Sequence, residues 1–288
     1  MQVHSSELLR RPIVIVGAPR SGTTVLGQLL SRHPTLAHLD EPRITWRFGN
    51  DGKSDMLTAE DARPEVCRHI QATFSKAVRD AGKQRLIEKS PSNSLRMGFV
   101  EKVLPGCLFV HIMRDGIEST LAIHRFWGEH ARGVDRAKFM KRVREISPRQ
   151  IPYYVREFVR RTAPRPLAGL VRQPVWGPRL PGMDELLKEL KLLEVCALQW
   201  RTCVESARHF GRTLPADRYM ECKLEEFSAE KLKSILQFCQ LEDSPEVWQA
   251  FEQQFDLGKT SHRRAAAAQH EIDTVVKWIE PTMKWLAS

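Results

Sequence analysis

Apolar positions along this chain fall into short blocks separated by turn residues, and the blocks alternate between two periods. Short runs rich in aliphatic residues near 12–16, 85–88 and 107–112 read as strands. Between them, apolar residues recur every three or four positions near 22–33, 59–81, 92–104 and 115–127, which predicts helices. Pro34, Pro105 and Gly106 punctuate the series. Strands alternating with helices predict an α/β fold, a parallel sheet with helices on both faces. Farther along, Met183 to Phe210 reads as one long helix whose core face carries Leu186, Leu190, Leu193, Ala197, Trp200 and Val204. A last strand at Tyr219 to Cys222 and helices near 228–240, 245–255 and 267–286 close the chain.

The segment from about 128 to 182 breaks this rhythm. It is rich in proline, with Pro164, Pro166, Pro174, Pro178 and Pro181 near its end. From Arg125 to Arg179 there are 14 Arg and Lys against 4 Asp and Glu, which equals the net charge of +10 for the whole chain. We read residues 1–288 as one domain with this segment inserted over the carboxyl edge of the sheet, where α/β proteins bind ligands. Within it, Ile151, Tyr154, Val155, Phe158 and Val159 make one apolar stripe, opposite Arg156, Arg160 and Arg161. A lid helix packed on the domain is the favoured reading; peripheral contact with an anionic membrane stays open. The basic patch is not interleaved with base-stacking aromatics, so an anionic substrate is favoured over nucleic acid.

Length and composition suit a soluble globular protein, and no apolar run is long enough to span a bilayer. The first eleven residues are polar, so neither a signal peptide nor an anchor is expected there. Cys67, Cys107, Cys196, Cys203, Cys222 and Cys239 are scattered, without CxxC or His/Cys clusters. They read as free thiols in a reducing, cytoplasmic compartment, with no metal site. The sequence leaves the oligomeric state open.

The most informative stretch follows the first strand: Gly17-Ala18-Pro19-Arg20-Ser21-Gly22-Thr23-Thr24, leading into Val25 and Leu26. A glycine-rich loop between a strand and a helix presents backbone N–H groups and a helix dipole to an anion. The nucleotide-triphosphatase pattern G-x-x-x-x-G-K-[ST] needs a lysine where Thr23 stands, so Arg20 is the loop's replacement cation.

This loop resembles the 5′-phosphosulfate loop of sulfotransferases that use 3′-phosphoadenosine-5′-phosphosulfate (PAPS). Three further segments match in order, covering roughly the first 125 residues. Asp40-Glu41-Pro42-Arg43 is similar to a tyrosylprotein sulfotransferase motif whose second acid is the catalytic base, a role that falls on Glu41. Partial burial is expected to raise its pKa toward neutrality, as suits a general base. Lys89, in Glu88-Lys89-Ser90-Pro91, matches the lysine that acts at the leaving phosphate, with Arg20 assisting. Arg114, closing Val110-His111-Ile112-Met113-Arg114-Asp115-Gly116, matches the arginine that binds the 3′-phosphate, a task suited to its bidentate fork. The family's serine eight residues later is Ala122 here, and Ser119 is taken as the substitute. The basic stretch Gly258 to Arg264 loosely resembles a nucleotide-covering loop, though a solvated charge run is the plainer reading.

The resemblance implies a P-loop NTPase-like α/β fold and a sulfotransferase with PAPS as co-substrate and no metal. Gly17, Ala18, Pro19, Arg20, Ser21, Gly22, Thr23 and Thr24 would hold the 5′-phosphosulfate, and Arg114 with Ser119 the 3′-phosphate. A hydroxyl on a carbohydrate or glycan, an anionic glycan or glycolipid included, is the first-ranked acceptor. Other small alcohols come next and protein tyrosine third. A P-loop small-molecule kinase and a non-catalytic nucleotide binder are the competing classes, the first weakened by Thr23 and the second by the presence of both Glu41 and Lys89.

Overall fold

The computed structural model describes residues 5–130, 136–162, 175–254 and 263–287. Five parallel strands form one sheet: β1 (Ile13–Val16), β2 (Leu36–Asp40), β3 (Arg85–Lys89), β4 (Leu108–Met113) and β5 (Tyr219–Lys223), in the order β2-β3-β1-β4-β5. Ile15 of β1 pairs with Lys89 of β3, and Val16 with His111 of β4, so the strand ends share one carboxyl edge. The chain moves outward from β1 in both directions, which puts the crevice of the topological switch point beside the loop that follows β1.

Alternation within the strands explains why they are apolar throughout. Val14 and Val16 enter a core with Trp46, Phe74, Phe99 and Phe109, whereas Ile13 and Ile15 enter another with Leu26, Leu29, Ile235 and Leu236. Helices cover both faces: α1 (Ser5–Leu8), α2 (Thr23–Leu30), α3 (Arg43–Arg47), α4 (Pro64–Asp80), α5 (Met97–Val103) and α6 (Gly116–His130). The basic segment contributes α7 (Arg136–Glu145) and α8 (Ile151–Thr162). Then follow α9 (Met183–Glu189), α10 (Leu192–Gly211), α11 (Ala229–Phe238), α12 (Pro245–Gln254), α13 (Arg263–Ala266) and α14 (Gln269–Ala287). A third core, around Trp127, Trp200 and Ile279, joins α6, α10 and α14.

Three expectations change. The helix read over 183–210 is two helices: Leu190 and Lys191 are extended, and the Glu194 carboxylate accepts the Lys191 N–H to start α10 afresh. The helix read near 92–104 begins as a 3₁₀ turn, Pro91–Leu95, before α5. Strand β2 is an edge strand paired only with β3, and its short Leu-Ala-His-Leu-Asp run carries too little apolar signal to mark it. The Gly258 to His262 stretch and Pro164, Pro166 and Pro174 lie outside the described residues, as do the side chains of Phe158, Val159, Arg160 and Arg161. Among the described residues no helix is long and apolar enough to cross a membrane, and no group of three or more His, Cys, Asp or Glu could hold a metal ion. All six cysteines are free thiols.

Candidate active site

The loop after β1 is built around two glycines that no other residue could replace without strain. Gly17 has φ 155°, and a Cβ there would meet the Ile112 carbonyl oxygen at 2.3 Å and Ser21 Oγ at 2.7 Å. Gly22, at φ 99°, caps α2, and a Cβ would press on Leu224 at 2.9 Å. The Gly17 N–H donates to Ser94 Oγ at 2.8 Å, which fastens the loop to the 3₁₀ turn after β3. Helix α2 starts at Thr23, so its first-turn N–H groups have no intrahelical acceptor and face the crevice as an anion site. Ser21 is fully buried in the loop, and its hydroxyl has no partner among the described residues. A phosphate-like group suits this cradle: close-approach glycines, an orphan hydroxyl and a helix N-terminus converge.

Beside the loop, Lys89 ends β3 with its side chain only 1% exposed. Its ammonium lies 2.6 Å from Asp40 Oδ1 and 3.0 Å from Glu41 Oε1, and it donates to Thr24 Oγ1 at 3.1 Å. One buried cation therefore joins the phosphate loop to the acids that end β2. Glu41 takes its place because its N–H donates to the Lys89 carbonyl at 2.8 Å, prolonging the β2–β3 ladder by one residue, and because its backbone turns to φ 51°. Arg43 donates to Glu41 Oε2 through Nε at 2.9 Å and a terminal nitrogen at 2.5 Å. Burial pushes the Glu41 carboxyl up, but Arg43 and Lys89 outweigh it and hold its pKa down at about 2. The expectation of a near-neutral Glu41 is thus corrected: two cations grip the carboxylate, and it stays ionised.

A second cluster forms around the end of β4. Arg114 donates to the Arg20 carbonyl at 3.4 Å and pairs with Glu118 at 3.3 Å, one turn along α6. Arg20 has φ 66° and sets its guanidinium 5.1 Å above the Phe126 ring. The sequence placed Arg20 with Lys89; its described contacts are on Arg114 and Phe126. Ala18 and Pro19 form the buried rear of the loop. Ser119 and Ala122, three apart on α6, are both fully buried, and the Ser119 hydroxyl has no partner among the described residues.

Several residues of the site were not singled out from sequence. Asp40 is a second acid on Lys89, and Glu118 faces the arginine assigned to a phosphate. Glu88, fully buried, accepts from Trp46 Nε1 at 2.9 Å, Ser90 Oγ at 2.5 Å and Asn93 Nδ2 at 2.8 Å. Burial raises its pKa to about 7 against the pull of those donors and of Arg96. Arg96 donates to Asn93 Oδ1 and pairs with Asp55, which also binds Arg47 and the backbone N–H of Arg179. The i, i+1 signal was there for Glu88, since a strand that places Lys89 in the crevice must send Glu88 to the opposite face.

A sequence model described as the Sulfotransferase family matches residues 12–167. Nodulation protein NoeE of Sinorhizobium fredii (strain NBRC 101917 / NGR234) is 24% identical over 130 residues, covering 40% of this chain and 31% of NoeE. The chain thus spans about a third of the length of the curated relative it matches. Sulfotransferase STF9 from Mycobacterium avium superposes with a TM-score of 0.52 at 12% identity, over 95% of this chain and 77% of that one, and shares the fold. The sulfotransferase domain of the Synechococcus PCC 7002 olefin synthase aligns over 93% of this chain and 88% of that one, at 16% identity and a TM-score of 0.46. The family match takes in the phosphate loop, the Glu41–Lys89 cluster and Arg114 within more than half of the chain, and on it the chain belongs to the Sulfotransferase family.

Proposed function

We propose that this enzyme moves a sulfuryl group from PAPS to an acceptor hydroxyl on a carbohydrate or glycan, releasing adenosine 3′,5′-bisphosphate. The observation that carries the reading is the position of Lys89: one ammonium touches the phosphate loop at Thr24 and the candidate base at Glu41. The loop amides and Ser21 hold the 5′-phosphosulfate, and Arg114 takes the 3′-phosphate. Glu41 accepts the acceptor's proton as its oxygen bonds to sulfur, and Lys89 steadies the bridging oxygen as the sulfur–oxygen bond to phosphate breaks. Arg and Lys supply the charge that phosphoryl-transfer enzymes take from magnesium.

Donor binding also prepares the base. In the free site Lys89 and Arg43 both hold Glu41, which is then a weak proton acceptor. A phosphosulfate in the loop competes for the Lys89 ammonium, and Glu41, relieved of one cation, becomes more basic.

A thermal-shift comparison tests the donor class. Adenosine 3′,5′-bisphosphate should stabilise the protein, by about 2.7 kcal/mol at a hundredfold excess over Kd. ATP with magnesium should not, and Arg114→Ala should abolish the preference over adenosine 5′-phosphate. Stabilisation by ATP and magnesium alone would transfer the chain to the kinase class.

A further inference from the structure

Next to Glu41 opens a cavity of about 870 Å³, walled by α3, the turn at 52–56, α7, α8 and residues 177–185. Arg43, which grips Glu41, lines its inner end. The outer wall is aliphatic. Met56, Val143, Ile151 and Val155 line it while 42%, 41%, 49% and 55% exposed, and among the described residues the other exposed large hydrophobics are Val25 and Met140. Exposed apolar side chains gathered in one concavity, rather than scattered, mark a binding surface. Ile151 and Val155 are one turn apart on α8, so these two members of the apolar stripe are open to solvent over this groove.

Three arginines of the lining are engaged elsewhere. Arg43 is bonded to Glu41, Arg47 to Asp55, and Arg179 to the backbone carbonyls of Asp51 and Lys53. The described lining includes no Asn, Gln, His or Trp, and Tyr154 is its one aromatic ring, so most of its wall offers a bare sugar neither an amide nor a flat face. Each sugar hydroxyl pressed on the aliphatic wall without a partner would weaken binding roughly five- to hundredfold. Glu157, Asp184 and Glu185 share the lining with the basic residues, so the groove has no single-sign field for an anionic membrane.

We infer that the acceptor is an amphiphilic alcohol: its aliphatic chain lies along Met56, Val143, Ile146, Ile151, Val155 and Leu180, and its hydroxyl reaches Glu41 past Arg43. The inference rests on the sulfuryl-transfer reading and narrows the carbohydrate acceptor to a head group that bears a chain.

Calorimetric titration with glucose and with hexyl, octyl and decyl β-glucosides below their micelle concentrations tests it, in the presence of adenosine 3′,5′-bisphosphate. Affinity should rise about three- to fourfold per added methylene until the chain fills the groove, with an increasingly negative heat-capacity change. Ile151→Asp and Val155→Asp, both at exposed positions, should flatten the series while the bisphosphate still raises Tm, which shows that the variants are folded. Alkyl glucosides no tighter than glucose, no binding by any of them, or a slope untouched by both variants would overturn the inference. Loss of the bisphosphate shift with an intact alkyl series would instead remove the transfer reading and leave a chain-binding groove.

Discussion

Glu41 sits between two cations, and replacing one of them by a neutral side chain of similar length gives a quantitative test. Its pKa is held at about 2 against an ordinary 4.5, a difference worth about 3 kcal/mol in favour of the carboxylate after burial has been overcome. Arg43 and Lys89 share that work, so Arg43→Met should return about half of it and raise the Glu41 pKa by at least about one pH unit. Arg43 is partly exposed, and methionine can occupy its place without a cavity.

Carbon NMR titration of the Glu41 carboxyl and the pH dependence of kcat/KM read the same group. The kcat/KM profile reports the free enzyme, so the wild-type acid limb should lie well below pH 4.5 and be limited by unfolding. The kcat profile reports the ternary complex, where the donor shares Lys89, and its acid limb should lie higher. In Arg43→Met the kcat/KM limb should climb with the NMR value. Stability moves in the matching direction. A depressed carboxylate stabilises the fold above about 4.5 and loses that contribution as pH falls toward about 2. Arg43→Met should therefore be roughly 1–2 kcal/mol less stable at neutral pH, and the deficit should vanish in acid. A wild-type limb well above 4.5 that Arg43→Met leaves in place would remove Glu41 as the base.

Lys89→Met should lower kcat roughly 10²- to 10³-fold, the scale of a lost transition-state donor, while the Tm shift with adenosine 3′,5′-bisphosphate persists; single-turnover assays decide it. Gly17→Ala should cost at least about 2 kcal/mol, read by urea titration, because its Cβ would collide with a backbone carbonyl that cannot retreat. Glu88 provides a pH signature of opposite sign. Its raised pKa means that its contribution is fully present below about 4.5 and is lost as pH rises through about 7. Glu88→Gln offers one acceptor oxygen to three donors, so its stability deficit against wild type should be largest in acid and shrink by up to about 3 kcal/mol across that window.

The central strands were legible because β1, β3 and β4 are largely buried and each carries a short apolar run, Ile13–Val16, Leu86–Ile87 and Leu108–Val110. Edge strand β2 was not, since His38 and Asp40 face partial solvent and interrupt the signal. The break at Leu190–Lys191 was hidden because the apolar period continues across it and only the Glu194 cap ends one helix and begins the next. In the site, the loop, Glu41, Lys89 and Arg114 were named from their resemblance to sulfotransferase motifs, and the fold gathers them at one sheet edge. The electrostatics were not foreseen: the hold on Glu41 depends on where the Arg43 and Lys89 side chains meet it, and motif spacing carries no such information. Arg20 shows the same limit, because motif spacing does not say where a loop cation turns, and its guanidinium lies over the Phe126 ring.

The phosphate loop and the groove beside Glu41 are joined beneath the surface by a path of hydrogen bonds and ion pairs. Ser94 fixes the Gly17 N–H of the donor loop, and it sits in the turn that Glu88 anchors through Ser90 and Asn93. From Asn93 the path runs through Arg96 to Asp55, and from Asp55 to Arg47 and Arg179 in the wall of the groove beside Glu41. Asp55 is held ionised at about 2: burial opposes its charge, and Arg47, Arg96 and Arg179 more than offset that. Charges this deeply placed are stable only when all their partners stay in position, since stranding one costs roughly 3–5 kcal/mol. The network therefore gives the fold little net stability beyond a well-packed apolar core. What it provides is position: under the proposed transfer, the loop that would hold the donor and the groove that would aim the acceptor hydroxyl are built on the same buried frame, with Lys89 and Glu41 between them.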